Sequence, residues 1–244
     1  MLRAMRIVSL FYLKLLFVWP FKFMVWCFRK IFGIDRKYDV DFSDYPDADF
    51  LDDEEYYMVY DLVDRAIVFA TNAHEGQTRK GTQIPYILHP LEAMSIVGTM
   101  TTDAEVLAAA VLHDVVEDTD YTVWQIADLF GERVAELVAN ESENKRENLA
   151  AEDTWKIRKQ ETLEHLKNAP IEVLMITLGD KLSNIRAMYR DYQTHGEELW
   201  QRFNNKNKAD HFWYYKGVAK CLYKLKDHQA YKEYCDLVQR TFLN

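Results

Sequence analysis

The chain has few of the residues that make turns and no cysteine pattern of a disulfide framework. Its 244 residues include eight Gly and five Pro, which favours helices over a turn-rich β fold. The three cysteines, Cys27, Cys221 and Cys235, have neither paired nor metal-type spacing. We therefore expect a reducing compartment, ordinary thiols and no metal site built from cysteine.

The chain also has fewer basic than acidic residues, with a net charge of −9 and a sequence pI of about 5.3. General nucleic-acid binders normally show a basic surface, so no nucleic acid is expected as a partner. A small anionic substrate remains compatible, because a local basic pocket or a metal ion can supply the attraction. Hydrophobic residues make up 49% of the chain, enough for a sizeable core.

Apolar residues recur at helical spacing from Tyr56 onward, and no stretch alternates as a strand would. The predicted fold class is therefore all-α. Two C-terminal helices are expected over residues 196–225 and 228–242. The other predicted boundaries are Gly76 at the end of a helix, Pro90 at the start of the next, Asp103 and Thr122 as N-caps, Gly131 as a break, and Pro170 before a long apolar helix.

Residues 1–32 are predicted to form a hydrophobic, basic helix that seeks a membrane. Residues 1–30 contain six bases and no acid. Their length suits a bilayer span, but Lys14, Lys22 and Pro20 disfavour one. Bases on one broad side of the helix favour a position in the membrane interface, and packing on the protein itself is the alternative. We expect a cytoplasmic protein attached to the inner face of the membrane.

Residues 33–55 have the opposite character and are predicted to be an acidic linker. Ten acids and two bases fall within residues 35–55, a composition typical of an exposed, extended segment. The globular domain is then expected to span residues 56–244.

The sequence LHDVVEDT, residues 112–119, is the stretch around which the domain is organised. Helical spacing would place His113, Asp114, Glu117 and Asp118 on one face near a helix end. The apolar run before them is typical of a buried helix, where such groups are rare unless paired or bound to a cation. A divalent metal is the economical interpretation, and a solvated acidic helix end is the alternative.

A second apolar run, in the predicted helix after Pro170, delivers Asp180 with Asn184 one turn later. His89 directly precedes Pro90 in a loop. Together with His113 and Asp114, these residues make a set of two histidines and two carboxylates that suits Mn²⁺, Fe²⁺ or Zn²⁺. Spacing alone is equally compatible with a buried hydrogen-bonded network.

Three ordered motifs carry a family resemblance: RKGTQIPYILHP, LHDVVEDTD and LGDKLSNIR. They closely resemble the hydrolase domain of the RelA/SpoT alarmone enzymes, and the chain is similar to the small alarmone hydrolases of the HD-domain phosphohydrolase family. The resemblance covers about residues 56–190. It implies an HD-type helical bundle that hydrolyses the 3′-pyrophosphate of (p)ppGpp, giving pyrophosphate with GDP or GTP.

The resemblance also implies a role for each matching residue: to hold a metal, usually Mn²⁺, to act on the attacking water, or to contact the guanine nucleotide. The implied metal ligands are His89, His113, Asp114 and Asp180, the implied catalytic pair is Glu117 and Asp118, and the implied substrate contacts are Arg79, Lys80 and Asn184.

Two departures from the family pattern bear on these expectations. Gly179 stands where the family usually has Ala, which loosens the helix slightly. The loop from Arg79 to His89 differs from its common form, which bears on guanine preference. The alternatives to alarmone hydrolysis are hydrolysis of another nucleotide of the NADPH type, or a binding module such as an antitoxin acting on a cognate toxin.

Overall fold

The computed structural model describes residues 53–142, 146 and 150–243. The predicted membrane-seeking segment, residues 1–32, and nearly all of the predicted linker lie outside this part of the chain. Within it, the α-helices are α1 Asp53–Ala73, α2 Leu88–Val97, α3 Ala104–Leu112, α4 Val115–Asp118, α5 Val123–Phe130, α6 Glu132–Glu141, α7 Ala151–Leu166, α8 Ile171–His195, α9 Lys208–Cys221 and α10 Gln229–Phe242. Two 3₁₀ helices span Gly196–Arg202 and Leu222–Leu225.

The predicted all-α fold is confirmed, because residues 53–142 and 150–243 contain no strand beyond an isolated bridge between Thr78 and Pro85. The predicted caps are confirmed as well. Asp103 accepts hydrogen bonds from the backbone at the start of α3, and Thr122 forms a capping box with Gln125 at the start of α5. No helix in the described ranges is long and apolar enough to cross a membrane.

Helix α8 runs through the centre of the bundle and packs against α2 on one side and α10 on another. In the middle of this helix, the side chains of Leu178, Leu182 and Ile185 are fully buried. A helical segment that is buried on most of its sides belongs in the middle of a core. Asp180 therefore lies inside the protein, with only 5% of its surface exposed.

Gly179 sets how closely α2 and α8 approach each other. A methyl group at this position would lie 2.7 Å from the backbone oxygen of Ala93 and 2.8 Å from Val97 Cγ2. Both contacts are closer than real side chains show, so only glycine fits this crossing. The residue that was expected to loosen the helix is thus what lets α8 bring Asp180 next to the helix that carries His89.

The chain around His113 departs from the predicted continuous helix. Helix α3 ends at Leu112, His113 is its C-cap, and Asp114 adopts φ −93° and ψ −7° before the single turn of α4. The prediction that one helix face carries all four polar side chains was therefore wrong. The predicted helix over residues 196–225 was also wrong, because the chain forms a 3₁₀ helix to Arg202 and begins α9 at Lys208.

Candidate metal centre and substrate cleft

Helices α2 and α8 and the junction between α3 and α4 bring two histidines and two aspartates together at one point. The prediction that His89 lies in a loop before a helix starting at Pro90 was wrong, because α2 begins at Leu88 and has His89 in its first turn. His89 Nε2 is 3.2 Å from Asp180 Oδ1 and 3.4 Å from Asp114 Oδ2. His113 Nε2 is 3.1 Å from Asp114 Oδ2 and 3.9 Å from Asp180 Oδ1. The structure thus brings all four residues predicted as metal ligands within reach of one another.

The chemistry of this cluster suits a divalent cation. His89, His113 and Asp180 are buried, and each offers one ligand atom, all within 4.8 Å of one another. Asp114 adds a carboxylate whose side chain is more exposed, at 16%. Imidazole nitrogens and carboxylate oxygens in this ratio are the ligands of hydrolytic zinc, iron and manganese sites.

The orientation of His113 gives a more direct test of whether a cation fits. Its Nδ1 lies 2.9 Å from the carbonyl oxygen of Ala110, which can only accept, so Nδ1 donates. The buried Nε2 then faces Asp114 and Asp180 and has no hydrogen-bond partner of acceptable geometry among the described residues. A ring nitrogen aimed at two carboxylates in the interior needs a positive charge between them, and a metal ion supplies one.

The electrostatics of the cluster show the same demand for a positive charge, which a proton on His113 meets when no metal is bound. Burial alone would lower the pKa of His113, but the carboxylates of Asp114 and Asp180 outweigh it and raise that pKa to about 10. Burial also opposes ionisation of the two aspartates. The positive charge of His113 outweighs this effect at Asp114, and the positive charge of Lys181 outweighs it at Asp180. The pKa of both carboxyls therefore lies well below its usual range. Both aspartates are therefore ionised and ready to hold a cation.

Tyr86 is a site residue that sequence reasoning missed. Its hydroxyl lies 2.6 Å from Asp114 Oδ2 and 3.0 Å from Asp118 Oδ2. Burial and these two carboxylates raise the pKa of Tyr86, so the phenol keeps its proton and donates. Its position three residues before His89 was the only local signal, since a loop residue so close to a candidate ligand often shares its site.

Glu117 and Asp118 border a cleft of about 480 Å³ whose floor contains the histidines and aspartates. The helix α7 forms another wall of the same cleft through Arg158 and Lys159. From the sequence, these two residues could either contact phosphates or belong to a solvated helix face. Their position in the cleft wall favours phosphate contacts. His165, first interpreted as a surface or satisfied histidine, also lines this cleft.

The three predicted substrate contacts are divided between two neighbouring clefts. Arg79 donates to Asn184 Oδ1, Asn184 donates to Asp180 Oδ1, and both residues border the metal cleft and a second cleft of about 620 Å³. Lys80 lines only the second cleft, where its Nζ donates to Asn204 at 2.8 Å. The structure therefore places Arg79 and Asn184 beside the candidate metal centre and sets Lys80 apart from it.

A tight turn fixes the position of Arg79. Its backbone N–H donates to the Ile84 carbonyl at 2.8 Å, and Gly81 adopts a φ of 73°, which favours glycine. The guanidinium then lies 5.5 Å from the centre of the Tyr86 ring. This contact holds the charged end of Arg79 at the boundary of the two clefts.

Glu141 is a second residue that the sequence did not single out. It lies in the wall of the metal cleft, and its Oε1 accepts a hydrogen bond of 2.7 Å from Thr177 on α8. Burial raises the pKa of Glu141 to about 7, against the opposing effect of Lys181. No local pattern marks it, because its neighbours come from a helix that is distant in sequence.

Comparisons with known proteins agree with this geometry. The family model described as HD domain matches residues 66–208. The bifunctional (p)ppGpp synthase/hydrolase SpoT of Escherichia coli is 38% identical over 141 residues, which cover 54% of this chain and 19% of that protein. The guanosine-3′,5′-bis(diphosphate) 3′-pyrophosphohydrolase of Vibrio cholerae is 38% identical over 130 residues, which cover 51% of this chain and 17% of that protein.

A solved structure extends the likeness to a protein of similar size. It is described as a metazoan ortholog of SpoT that hydrolyzes ppGpp, with a TM-score of 0.58 and 28% identity over 73% of this chain and 94% of that one. The chain spans less than a fifth of the two curated bacterial relatives, so it corresponds to one part of those proteins. The chain therefore belongs to the HD domain family, and within that family it is similar to the SpoT-type alarmone enzymes.

Proposed function

We propose that this chain is a metal-dependent hydrolase that removes the 3′-pyrophosphate of (p)ppGpp, with GDP or GTP and pyrophosphate as products. One observation carries the proposal: two histidines and two aspartates meet at the floor of a cleft, and Tyr86 links that cluster to Asp118. The names of the bacterial and metazoan relatives support the choice of alarmone as the substrate.

His89, His113, Asp114 and Asp180 are the proposed metal ligands, and Mn²⁺ is the proposed metal. A divalent cation held by them would lower the pKa of a bound water and balance charge on the phosphates. Glu117 and Asp118 border the cleft beside this point, and we assign them to orienting the attacking water and accepting its proton. The Tyr86 hydroxyl donates its one proton to Asp114, 2.6 Å away, and lies 3.0 Å from Asp118.

The basic side chains of the cleft, together with a metal ion, would bind a polyanionic substrate. Arg158 and Lys159 line one wall and Lys181 lies beside Asp180, so a pyrophosphate group entering this cleft would meet cations around the metal position. Arg79 borders both clefts, and its planar guanidinium can stack on a purine face while facing phosphates. We propose that Asn184 and Lys80 contact the nucleotide from either side of Arg79.

The second cleft suits the less charged part of a nucleotide. It adjoins the metal cleft along Arg79, Tyr86, His89 and Asn184, so one ligand can occupy both. Base and ribose would then lie away from the metal and the 3′-pyrophosphate against it. The apolar residues that line this second cleft are Ile84, Leu88, Ala187, Met188, Phe203 and Tyr215.

A panel of nucleotides tests the proposal against its closest enzymatic rival. The full chain, loaded with Mn²⁺, is incubated with ppGpp, GTP or NADPH, and products are identified by ion-exchange chromatography. We expect GDP and pyrophosphate from ppGpp alone, with activity lost in Asp114→Asn. Turnover of NADPH in place of ppGpp would change the substrate, and no turnover of any of them would refute the hydrolase assignment.

The proposed domain order is a membrane-associated segment over residues 1–32, an acidic linker over residues 33–55 and a catalytic domain over residues 56–244 on the cytoplasmic side. The six bases and the long apolar content of the first segment support membrane association. Cells that produce the full chain, or a version that starts at Asp41, are fractionated without detergent. The proposal expects only the full chain in the membrane fraction, and equal solubility of the two would contradict it.

A further inference from the structure

The hydrogen bonds around His89 have a defined direction. Ser183 Oγ donates to Glu92 Oε2 at 2.7 Å, and His89 Nδ1 lies 2.8 Å from Ser183 Oγ. A serine hydroxyl has one proton, and an ionised carboxylate can only accept. Because that proton goes to Glu92, Ser183 accepts from His89 Nδ1–H. The ring therefore presents the lone pair of Nε2 to Asp114 and Asp180.

This arrangement continues from Glu92 to the C-terminal helix. Glu92 Oε1 accepts from Arg186 Nη1 at 3.0 Å. The same guanidinium donates through Nε and Nη2 to the two carboxylate oxygens of Glu233 on α10, each at 2.7 Å. Bidentate pairing fixes both the position and the plane of Arg186. An unbroken set of polar contacts thus joins α10 through α8 and α2 to His89.

We propose that Ser183 and Glu92 are positioning residues that fix the tautomer of His89 for metal binding, and that Glu233 extends this control to the C-terminal helix. The inference rests on the proposed function, since it takes His89 as a metal ligand. Here the Glu92 carboxylate orients the Ser183 hydroxyl, and the hydroxyl accepts from His89 Nδ1. Such a contact holds the imidazole in one orientation and makes Nε2 a better metal ligand. Arg186 donates to Glu92 Oε1 and so holds the other carboxylate oxygen towards Ser183.

The same contacts would also tie three helices together without any effect on a metal, so the test must separate metal affinity from stability. Binding of Mn²⁺ to the full chain is measured by isothermal titration calorimetry, and thermal unfolding is measured with EDTA present. We expect Ser183→Ala and Glu92→Gln each to weaken Mn²⁺ binding by about 10- to 100-fold. Wild-type affinity in Ser183→Ala would overturn the proposal.

A second arginine with two carboxylate partners provides a matched control for substitution of Glu233. Arg133 binds Asp103 at 2.7 Å and Glu105 at 2.6 Å, with side-chain exposures similar to those of Arg186 and Glu233. Asp103 and Glu105 lie at the N-terminal end of α3, and His113 lies at its C-terminal end. We expect Glu233→Gln to weaken Mn²⁺ binding by about two- to thirtyfold, as mutations along a coupled polar network do. Glu105→Gln should leave it unchanged, and equal effects of the two substitutions would refute the role of α10.

Two further variants distinguish failure of this inference from failure of the proposed site. His113→Ala and Asp180→Asn remove proposed ligands directly, and both should abolish tight Mn²⁺ binding. If they do so while Ser183→Ala binds as the wild type does, only the positioning role fails. If the wild type binds no Mn²⁺, or these two variants retain it, the metal site fails and the positioning role fails with it.

Discussion

The hydroxyl of Tyr86 lies between two carboxylates, 2.6 Å from Asp114 Oδ2 and 3.0 Å from Asp118 Oδ2. Asp114 is a proposed metal ligand and Asp118 a proposed partner of the attacking water, so one phenol joins the two halves of the proposed chemistry. The protonated phenol has one proton, which it donates to Asp114, the nearer carboxylate, and so holds that group in place. The relationship makes Tyr86 a positioning residue of the site.

Tyr86→Phe should therefore lower kcat by about 10- to 100-fold, the range expected when a hydrogen bond to a charged group is lost. The KM should change little, because the ring and its contact with Arg79 remain. Steady-state kinetics with ppGpp and Mn²⁺ measure both constants. Tyr231→Phe is the matched control, since it loses one hydroxyl contact of 3.0 Å to Ala219, between α9 and α10. A Tyr86→Phe enzyme as fast as that control would contradict the account.

Gly179→Ala should destabilise the protein and weaken Mn²⁺ binding together. The new methyl would press on the backbone oxygen of Ala93 at 2.7 Å, so α2 and α8 must move apart. Overpacking costs about 1–3 kcal/mol, and the better helix propensity of Ala returns only about 1 kcal/mol. Chemical denaturation and calorimetric titration measure the two effects.

Gly98→Ala provides the control for this substitution. Gly98 lies at the C-terminus of α2 with a helical φ of −60°, and a methyl there would meet its nearest atoms at 3.5 Å. That is ordinary van der Waals contact, so stability and Mn²⁺ affinity should stay near the wild-type values. A loss of stability in Gly98→Ala equal to that in Gly179→Ala would show that the close approach of α2 and α8 is not the cause.

Glu141 should make the metal-free protein less stable as the pH rises. Burial raises the pKa of Glu141 from its ordinary value of 4.5 to about 7, so the folded state binds more protons than the unfolded state between these values. Stability from this group is therefore highest below pH 4.5, falls as the pH rises to about 7, and is constant above it. Glu141→Gln removes the dependence and keeps an oxygen to accept from Thr177.

The measurement is urea denaturation of the wild type and Glu141→Gln with EDTA present at several pH values. The variant should gain stability relative to the wild type between pH 5 and pH 7, within the titration range set by the pKa of about 7. Above that range the difference should be constant. A difference that stays the same from acid to neutral pH would exclude a raised pKa at Glu141.

Metal removal should lower the unfolding temperature of the wild type. A ligand at 100 times its dissociation constant stabilises the folded state by about 2.7 kcal/mol, or roughly 5–10 °C for a protein of this size. Scanning calorimetry with EDTA and with excess Mn²⁺ measures the shift. Asp180→Asn should show no comparable shift, and an equal response in that variant would place the metal elsewhere.

Sequence reasoning found the proposed ligands because each follows a distinct local signal. His113 and Asp180 interrupt apolar runs, and His89 directly precedes a proline in the first turn of α2. The resemblance to alarmone hydrolases then favoured a metal site over a buried hydrogen-bonded network for these residues. The all-α class followed from the scarcity of turn residues and the helical spacing of apolar ones.

Residues whose roles depend on tertiary contacts could not be found in this way. Ser183 meets His89 across 94 positions of sequence, and Thr177 meets Glu141 across 36. The break at Asp114 was missed because the apolar periodicity continues through it, and Gly179 was interpreted from helix propensity alone. Local patterns record neither the crossing of two helices nor the direction of a hydrogen bond.

The most direct test of the central claim is ³¹P NMR of ppGpp with the full chain, recorded first with EDTA and then after addition of excess Mn²⁺. The account predicts no change before the metal and the appearance of pyrophosphate and GDP in equal amounts after it, with neither in Asp180→Asn. Release of orthophosphate, or turnover that is as fast without the metal or in Asp180→Asn, would contradict hydrolysis of the 3′-pyrophosphate at this site.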